Sequence, residues 1–269
     1  TWFAKRLVPP QARTLCPPAG QAGIRRQMEQ LKREYEKQDR MRRDFTANVS
    51  HELKTPLTSI SGYAEIIREG MVKSEDVGRF AGKIYEEAQR LITLVEDILN
   101  LSHLDEGAPG QERRQGIDLY ALCERAVASL AEAARQRGIA ISLTGSRQRV
   151  DGAEKLLAEI IFNLCDNAIK YNQENGHVAV SVTREGDRVV LTVQDTGIGI
   201  PPGETDRVFE RFYRVDKSHS KEIGGTGLGL SIVKHAAAYH DAKIQLDSQL
   251  GRGTRVRVLF PLSQKEAQP

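Results

Sequence analysis

Phe45-Thr-Ala-Asn-Val-Ser-His51-Glu52-Leu-Lys-Thr55-Pro56-Leu-Thr-Ser59 sets a histidine directly beside a carboxylate and places a threonine four residues further on, inside a long helix-like pattern. A histidine that takes up a phosphoryl group needs a neighbouring base to receive its ring proton, and Glu52 stands in the right place for that. A helix brings residues i and i+4 to one face, so His51 and Thr55 would meet the same incoming group. Pro56 removes a backbone donor and kinks or loosens the helix just beyond.

Working outward, the same helical period begins at Ile24. Ile24, Met28, Leu31 and Tyr35, then Phe45 and Val49, follow alternating steps of four and three, with Gln38 and Arg42 interrupting the seam. This pattern predicts either a parallel coiled coil between two chains or one amphipathic helix packed within its own chain. The helix is expected to end near Gly70. Ser74 reads as the next N-cap, with Glu75 and Asp76 suited to a positive first turn. A second helix follows, with Val77, Phe80, Ile84, Ala88, Leu91, Val95, Ile98 and Leu101 on one stripe. Two long antiparallel helices cannot bury both faces alone, so the pattern predicts a homodimer built on a four-helix bundle. Glu106-Gly-Ala-Pro-Gly-Gln111 marks a domain boundary.

Beyond it the period changes. Helices are expected over 117–135, 152–171 and 231–239. Strands are expected over 138–144, 178–183, 189–194, 243–248 and 254–260, with a hairpin turn at Glu185-Gly-Asp187. That mixture predicts a two-layer α/β sandwich.

Composition narrows the function classes. The 269 residues carry 28% charged and 39% hydrophobic residues and a net charge of +3, with both signs interspersed. No basic run stands out, which argues against nucleic acid as a partner. Cys16, Cys123 and Cys165 lack metal-ligand spacing and fit a reducing compartment. No run of about 18–20 apolar residues exists to span a bilayer. The opening Thr1-Trp-Phe-Ala-Lys5-Arg6 places aromatics before two positive charges, as at the cytoplasmic end of a membrane helix. It reads as a juxtamembrane continuation or as an arbitrary tail. The Pro- and Gly-rich stretch to Gly23 reads as a linker.

Four further motifs follow His51. They are Asn163-Leu-Cys-Asp-Asn167-Ala-Ile-Lys170-Tyr171, Asp195-Thr-Gly197-Ile-Gly199, Phe209-Glu-Arg-Phe212-Tyr-Arg214 and Gly225-Thr226-Gly227-Leu228-Gly229. Asn163 and Asn167 share a helix face, and amide oxygens are hard ligands that suit Mg²⁺. Lys170 can reach a phosphate as a point charge. The Gly225–Gly229 run opens a helix, whose N-terminal amides can hold phosphates; its G-x-G-x-G spacing is not the dinucleotide fingerprint. Residues 201–224 read as a lid, with Phe209, Phe212 and Tyr213 serving both as anchors and in ordinary packing.

In this order the five segments resemble the H, N, G1, F and G2 boxes of the sensor histidine kinases of two-component systems, over roughly residues 40–262. The nucleotide half also resembles the pocket shared with DNA gyrase B, Hsp90 and MutL. The resemblance implies a dimeric helical hairpin followed by a Bergerat-type ATP-binding sandwich. The domains would be a linker over 1–23, an entry helix with dimerisation and phosphotransfer domain over 24–107, a catalytic domain over 112–263 and a tail over 264–269. It implies ATP and Mg²⁺ as cofactors, with Asn167 at the metal and Asp195 at the adenine amino group. Asn163, Lys170, Tyr171, Gly197, Gly199, Arg214, Gly225, Thr226, Gly227, Leu228 and Gly229 would complete the nucleotide site. His51 would be the phosphoacceptor, Glu52 its base, and Thr55 the residue positioning water for dephosphorylation of a response regulator receiver domain. A membrane anchor preceding the chain, on the cytoplasmic face of a bacterial plasma membrane, is also implied. Two other readings use the same motifs: a clamp-type ATPase, which has no need of the His51–Glu52 pair, and a non-catalytic scaffold, which has no need of a complete site.

Overall fold

The computed structural model describes residues 18–105, 113–215 and 225–263. Cys16, the linker before residue 18, the boundary segment Glu106–Gln111, the 216–224 part of the expected lid and the tail from 264 lie outside the described residues. The chain forms two compact units, Thr1–Ser50 and His51–Pro269.

Helix α1 runs over Pro18–Arg68 and contains Pro56. It starts six residues before the expected Ile24, because a proline is tolerated as a first helical residue, where its missing N–H would have had no partner. Residues 18–23, read as part of a linker, are thus helical. Pro56 does not interrupt the helix. In the first unit Met28, Leu31 and Tyr35 are exposed. Lys32–Glu36 and Asp39–Arg43 form one-turn ion pairs on its surface, each worth only a few tenths of a kcal/mol.

In the second unit α1 ends where expected. Gly70 takes φ +65°. Its N–H donates to Ile67 O at 3.1 Å and the Met71 N–H to Ile66 O at 3.1 Å. This left-handed stop satisfies carbonyls that the helix end would otherwise orphan. Helix α2 covers Val77–Asp105, so Ser74 is not its N-cap. A turn closed by Asp76 N–H to Lys73 O at 2.9 Å intervenes, and Asp76 O accepts the first helical bond, from Phe80, at 3.1 Å. The chain must finish reversing after Gly70 before a helix can restart, and that displaces the start past the first good capping residue. The Tyr63 and Phe80 rings meet edge to face at 5.7 Å and join the two helices.

Helix α2 is apolar on more than the one stripe. Leu94, Leu101 and Leu104 are buried, while Tyr85, Ile92, Val95 and Leu99 are exposed. Of the expected inward stripe, Val77 and Val95 therefore face solvent in the single chain. A helix with apolar residues on two faces needs cover on both.

The rest of the unit is a two-layer sandwich. A five-stranded sheet has the order β2-β4-β5-β7-β6, with β2 Ala140–Gly145, β4 His177–Glu185, β5 Arg188–Asp195, β6 Lys243–Gln249 and β7 Gly253–Pro261. Only β2 and β4 pair in parallel. Helices α3 Leu119–Gln136, α4 Glu154–Lys170 and α5 Gly229–Tyr239 cover one face. Val178, Val180 and Val182 of β4 and Val256, Val258 and Phe260 of β7 alternate into the core, as a pleated strand with one covered face requires. Leu156, Leu157, Ile160, Ile161 and Leu164 of α4 are buried in the same core. Cys123 and Cys165 are buried in α3 and α4. Burial pushes both thiols up, that of Cys165 to about 12, which leaves them inert at neutral pH.

Two short strands escaped the sequence pattern. Strand β1 (Arg114–Asp118) and β3 (Arg149–Gly152) form a separate antiparallel ribbon. They carry little apolar alternation. What holds them is Asp151, whose Oδ1 accepts the Gly116 N–H at 2.8 Å and the Ser263 hydroxyl at 2.6 Å.

Candidate active site

The histidine motif lies on the outside of α1. The His51 side chain is 79% exposed and its Nδ1 stands 3.9 Å from Glu52 Oε1. This is too long for a hydrogen bond. Such pairs tighten only when the reacting group arrives. Thr55 Oγ1 donates to the His51 backbone oxygen at 3.2 Å, the local bond open to a threonine one turn on.

A second constellation forms where α4, the end of β5 and the start of α5 converge. Asn163 and Asn167 lie on successive turns of α4. A Cβ placed on Gly229 would fall 2.7 Å from Asn163 Oδ1 and 3.7 Å from Asn167 Nδ2. The glycine-rich turn therefore packs closely on Asn163 and touches Asn167, and a side chain at position 229 would not fit without a shift. Lys170 pairs with Asp166 at 2.6 Å, so its charge is already partly neutralised within α4. Tyr171 caps α4, and its hydroxyl would lie 3.1 Å from a Cβ on Gly225.

Asp195 ends β5. Its Oδ1 accepts the N–H of Gly197 at 2.8 Å and of Thr254 at 3.1 Å. Burial raises its pKa, and the two backbone donors oppose that rise. Thr254, in Gly251-Arg252-Gly253-Thr254, was missed from the sequence; the paired glycines before it were the available signal. Gln173 Nε2 also braces this loop, donating to Gly197 O at 3.3 Å. Gly199 has φ +68°, and a Cβ there would fall 2.1 Å from Gln249 O. Only glycine fits both the left-handed backbone and the close approach.

The described part of the expected lid is anchored. The Phe212 N–H donates to Gly227 O at 2.9 Å, and a Cβ on Gly227, at φ +73°, would press on the Phe212 backbone at 3.0 Å. The Tyr213 hydroxyl bonds Glu204, and Arg207 lies 4.2 Å over its ring. Phe209 ends a 3₁₀ turn over Arg207–Phe209, and Arg214 is half-buried just before the segment outside the described residues. Leu228 is fully buried at the start of α5.

One contact was invisible in the sequence. Thr226 Oγ1 donates to Asp97 Oδ2 of α2 at 2.7 Å and accepts the Leu228 N–H at 3.3 Å. At the far end of α2, Asp105 accepts from Arg211 at 2.6 Å and lies 3.5 Å from His235.

The residues present fit a nucleotide and its cation. The Asn163 amide oxygen faces the glycine-rich turn at the α5 N-terminus with Asn167 beside it, and Glu159 Oε2, one turn before Asn163, is buried with no hydrogen-bond partner among the described residues. No cluster of three or more carboxylate, histidine or cysteine ligands occurs among the described residues. A donor set of amides suits a cation carried mainly by phosphates and water.

A helical hairpin bearing an exposed His–Glu pair, joined to a Bergerat-type sandwich, defines an ATPase-like domain coupled to a phospho-acceptor domain. The family models agree: residues 41–107 match the His Kinase A (phospho-acceptor) domain and residues 152–264 the histidine kinase-, DNA gyrase B-, and HSP90-like ATPase. The chain belongs to the sensor histidine kinases of two-component systems. It is 40% identical to the sensor-like histidine kinase SenX3 of Mycolicibacterium smegmatis over 85% of this chain and 59% of that protein. The chain thus spans less than two thirds of the length of this curated relative. The structure of full-length ShkA in complex with AMPPNP is similar at 28% identity and a TM-score of 0.59, covering 81% of this chain and 45% of that one. Histidine kinase ThkA in complex with response regulator protein TrrA shares the fold, at 22% identity and a TM-score of 0.66, over 87% of this chain and 67% of that one. Among the described residues no helix is long and apolar enough to cross a membrane.

Proposed function

We propose that this chain is the kinase core of an ATP-dependent protein-histidine kinase that phosphorylates His51. The observation that carries this reading is the pairing, in one chain, of an exposed His51 beside Glu52 with the Asn163–Asn167–Gly229 cradle. Asp195 Oδ1 is committed to two backbone donors, which fixes its carboxylate and leaves Oδ2 to accept from an adenine amino group. Asn163, the α5 N-terminus and Lys170 would face the phosphates, with Tyr171, Gly197, Gly199, Gly225 and Arg214 bordering the nucleotide. Asn167 would hold Mg²⁺, which supplies charge neutralisation at the β- and γ-phosphates.

Before transfer Nδ1, the ring nitrogen on the Glu52 side, carries the proton, and in the transfer step it gives that proton up to the Glu52 carboxylate. Nε2 then attacks the γ-phosphorus, an N–P bond forms, and the bond to the leaving ADP oxygen breaks. Family membership supports onward transfer to an aspartate of a response regulator, with Thr55 aligning water for the reverse hydrolysis. The exposed Tyr85–Ile92–Val95–Leu99 row of α2, spaced seven, three and four, supports a dimeric bundle, since its apolar surface otherwise faces water. The aromatic and basic start of the sequence supports attachment at the cytoplasmic membrane face.

The test is incubation of the chain with γ-labelled ATP and Mg²⁺. Acid-labile, base-stable label that vanishes in His51→Gln is the expected result. Free phosphate without protein label would favour the clamp-type ATPase instead.

A further inference from the structure

We propose that Asp97 is a built-in competitor of the nucleotide phosphates: its carboxylate holds the glycine-rich turn through Thr226, and α2 must let go of that turn before a nucleotide can be held there. The inference rests on the nucleotide reading of the Gly225–Gly229 turn.

The geometry is a bridge between two parts of the unit. Thr226 Oγ1 donates to Asp97 Oδ2 at 2.7 Å while accepting the Leu228 N–H at 3.3 Å. One hydroxyl therefore shapes the turn and ties it to α2. The turn opens α5, an 11-residue helix whose N-terminus attracts negative charge. In this state the anion brought there is a side chain of the protein's own. Lys170, assigned above to a phosphate, also stabilises the charged form of Asp97. Two groups that a nucleotide would use thus already serve the same carboxylate.

The surroundings place strain on this arrangement. Burial is the largest influence on Asp97 and raises its pKa; Thr226 and Lys170 oppose the rise, while Glu96 on α2 and Asp166 on α4 add to it. Asp97 in turn raises the pKa of Glu159 on α4, which burial has already lifted. The carboxylate therefore sits among others of its kind, and its hold on the turn is one that a multiply charged phosphate can displace. The rest of the same α2 face keeps the helix in place. Leu94, Leu101 and Leu104, spaced with Asp97 by threes and fours, are buried. Asp105 bonds Arg211 at 2.6 Å, and Arg211 lies 3.2 Å from His235 Nε2 on α5. A nucleotide that takes Thr226 would remove the polar contact at the centre of this row and loosen α2 from the nucleotide domain.

The experiment is calorimetric titration of AMPPNP with Mg²⁺ into the full chain, comparing wild type with Asp97→Ala and Asp97→Asn. Removing the competitor should tighten AMPPNP binding about ten- to hundredfold in Asp97→Ala, the range for freeing a hydrogen bond to a charged group, and by a smaller factor in Asp97→Asn, whose amide oxygen can still accept from Thr226. Asp97→Asn keeps the side-chain shape and decides the matter if Asp97→Ala does not fold. Affinity equal to or weaker than that of wild type, with wild type binding, overturns the competition. Absence of AMPPNP binding by wild type and variants alike overturns the nucleotide reading itself.

Discussion

His240 Nε2 accepts the backbone N–H of Ala153 at 3.0 Å, across 87 residues of chain. Its Nδ1 lies 2.7 Å from Ala236 O and donates to it. The fully buried imidazole ties the end of α5 to the start of α4, the two helices that bring Gly229 against Asn163 and Asn167. Both ring nitrogens are used, one as donor and one as acceptor, so the ring must be neutral. Burial lowers its pKa below the usual histidine value. An unfolded chain, with a histidine pKa near about 6.5, takes up a proton that the folded chain refuses. Stability is then complete above about pH 6.5 and falls as the pH drops below it, by up to about 1.4 kcal/mol per pH unit, until the lowered folded value is reached. Urea unfolding at pH 7.5 and 5.5 should show this loss in wild type and a smaller one in His240→Asn, where no imidazole titrates.

Asp195→Asn is expected to weaken ATP binding about ten- to hundredfold, the range for losing a hydrogen bond to a charged group. The amide can still accept from Gly197 and Thr254, so the loop should stay in place. Its NH₂, however, would face the adenine amino group donor to donor. Competition between ATP and GTP for the variant should show the adenine preference lost. Unchanged preference would remove Asp195 from the adenine position.

Gly199→Ala tests the loop geometry rather than the chemistry. The new Cβ would meet Gln249 O at 2.1 Å on a backbone held at φ +68°. Left-handed strain alone costs about 1–3 kcal/mol, and the backbone contact adds to it. Chemical denaturation should register at least that loss, accompanied by weaker nucleotide binding because the same loop carries the N–H that fixes Asp195.

Thr55→Ala separates two roles for a residue whose hydroxyl bonds the His51 carbonyl at 3.2 Å. If Thr55 aligns water for regulator dephosphorylation, the variant should keep autophosphorylation near wild-type rate and lose most phosphatase activity. If the local bond is all that Thr55 supplies, both rates should fall together with helix stability. Both rates must be measured on the same preparation with a purified receiver domain.

Much of this protein was legible in its sequence because the deciding signals are periodic and local. The helix from Ile24 to Val49, the alternation in 178–183 and 189–194, and the helix end near Gly70 each follow from a few neighbouring residues. So do the Asn163–Asn167 spacing and the glycines of the Gly225–Gly229 turn. The departures occurred where the path of the chain or a long-range contact outweighs the preference of single residues. Ser74 is the better cap by residue type, yet the turn after Gly70 sets the start of α2 at Val77. The β1–β3 ribbon has almost no apolar period and depends on Asp151, which bonds Ser263 from 112 residues away. Thr254 reaches Asp195 only because β7 pairs beside β5. Asp97 lies outside the apolar stripe read on α2, and only the docking of α2 on the nucleotide domain brings its carboxylate to Thr226, 129 residues further along. Periodicity specifies which face of an element is apolar. Which partner covers that face, and which polar group is then buried against another, is settled by packing the whole chain, because the free energy of each such contact belongs to both elements at once.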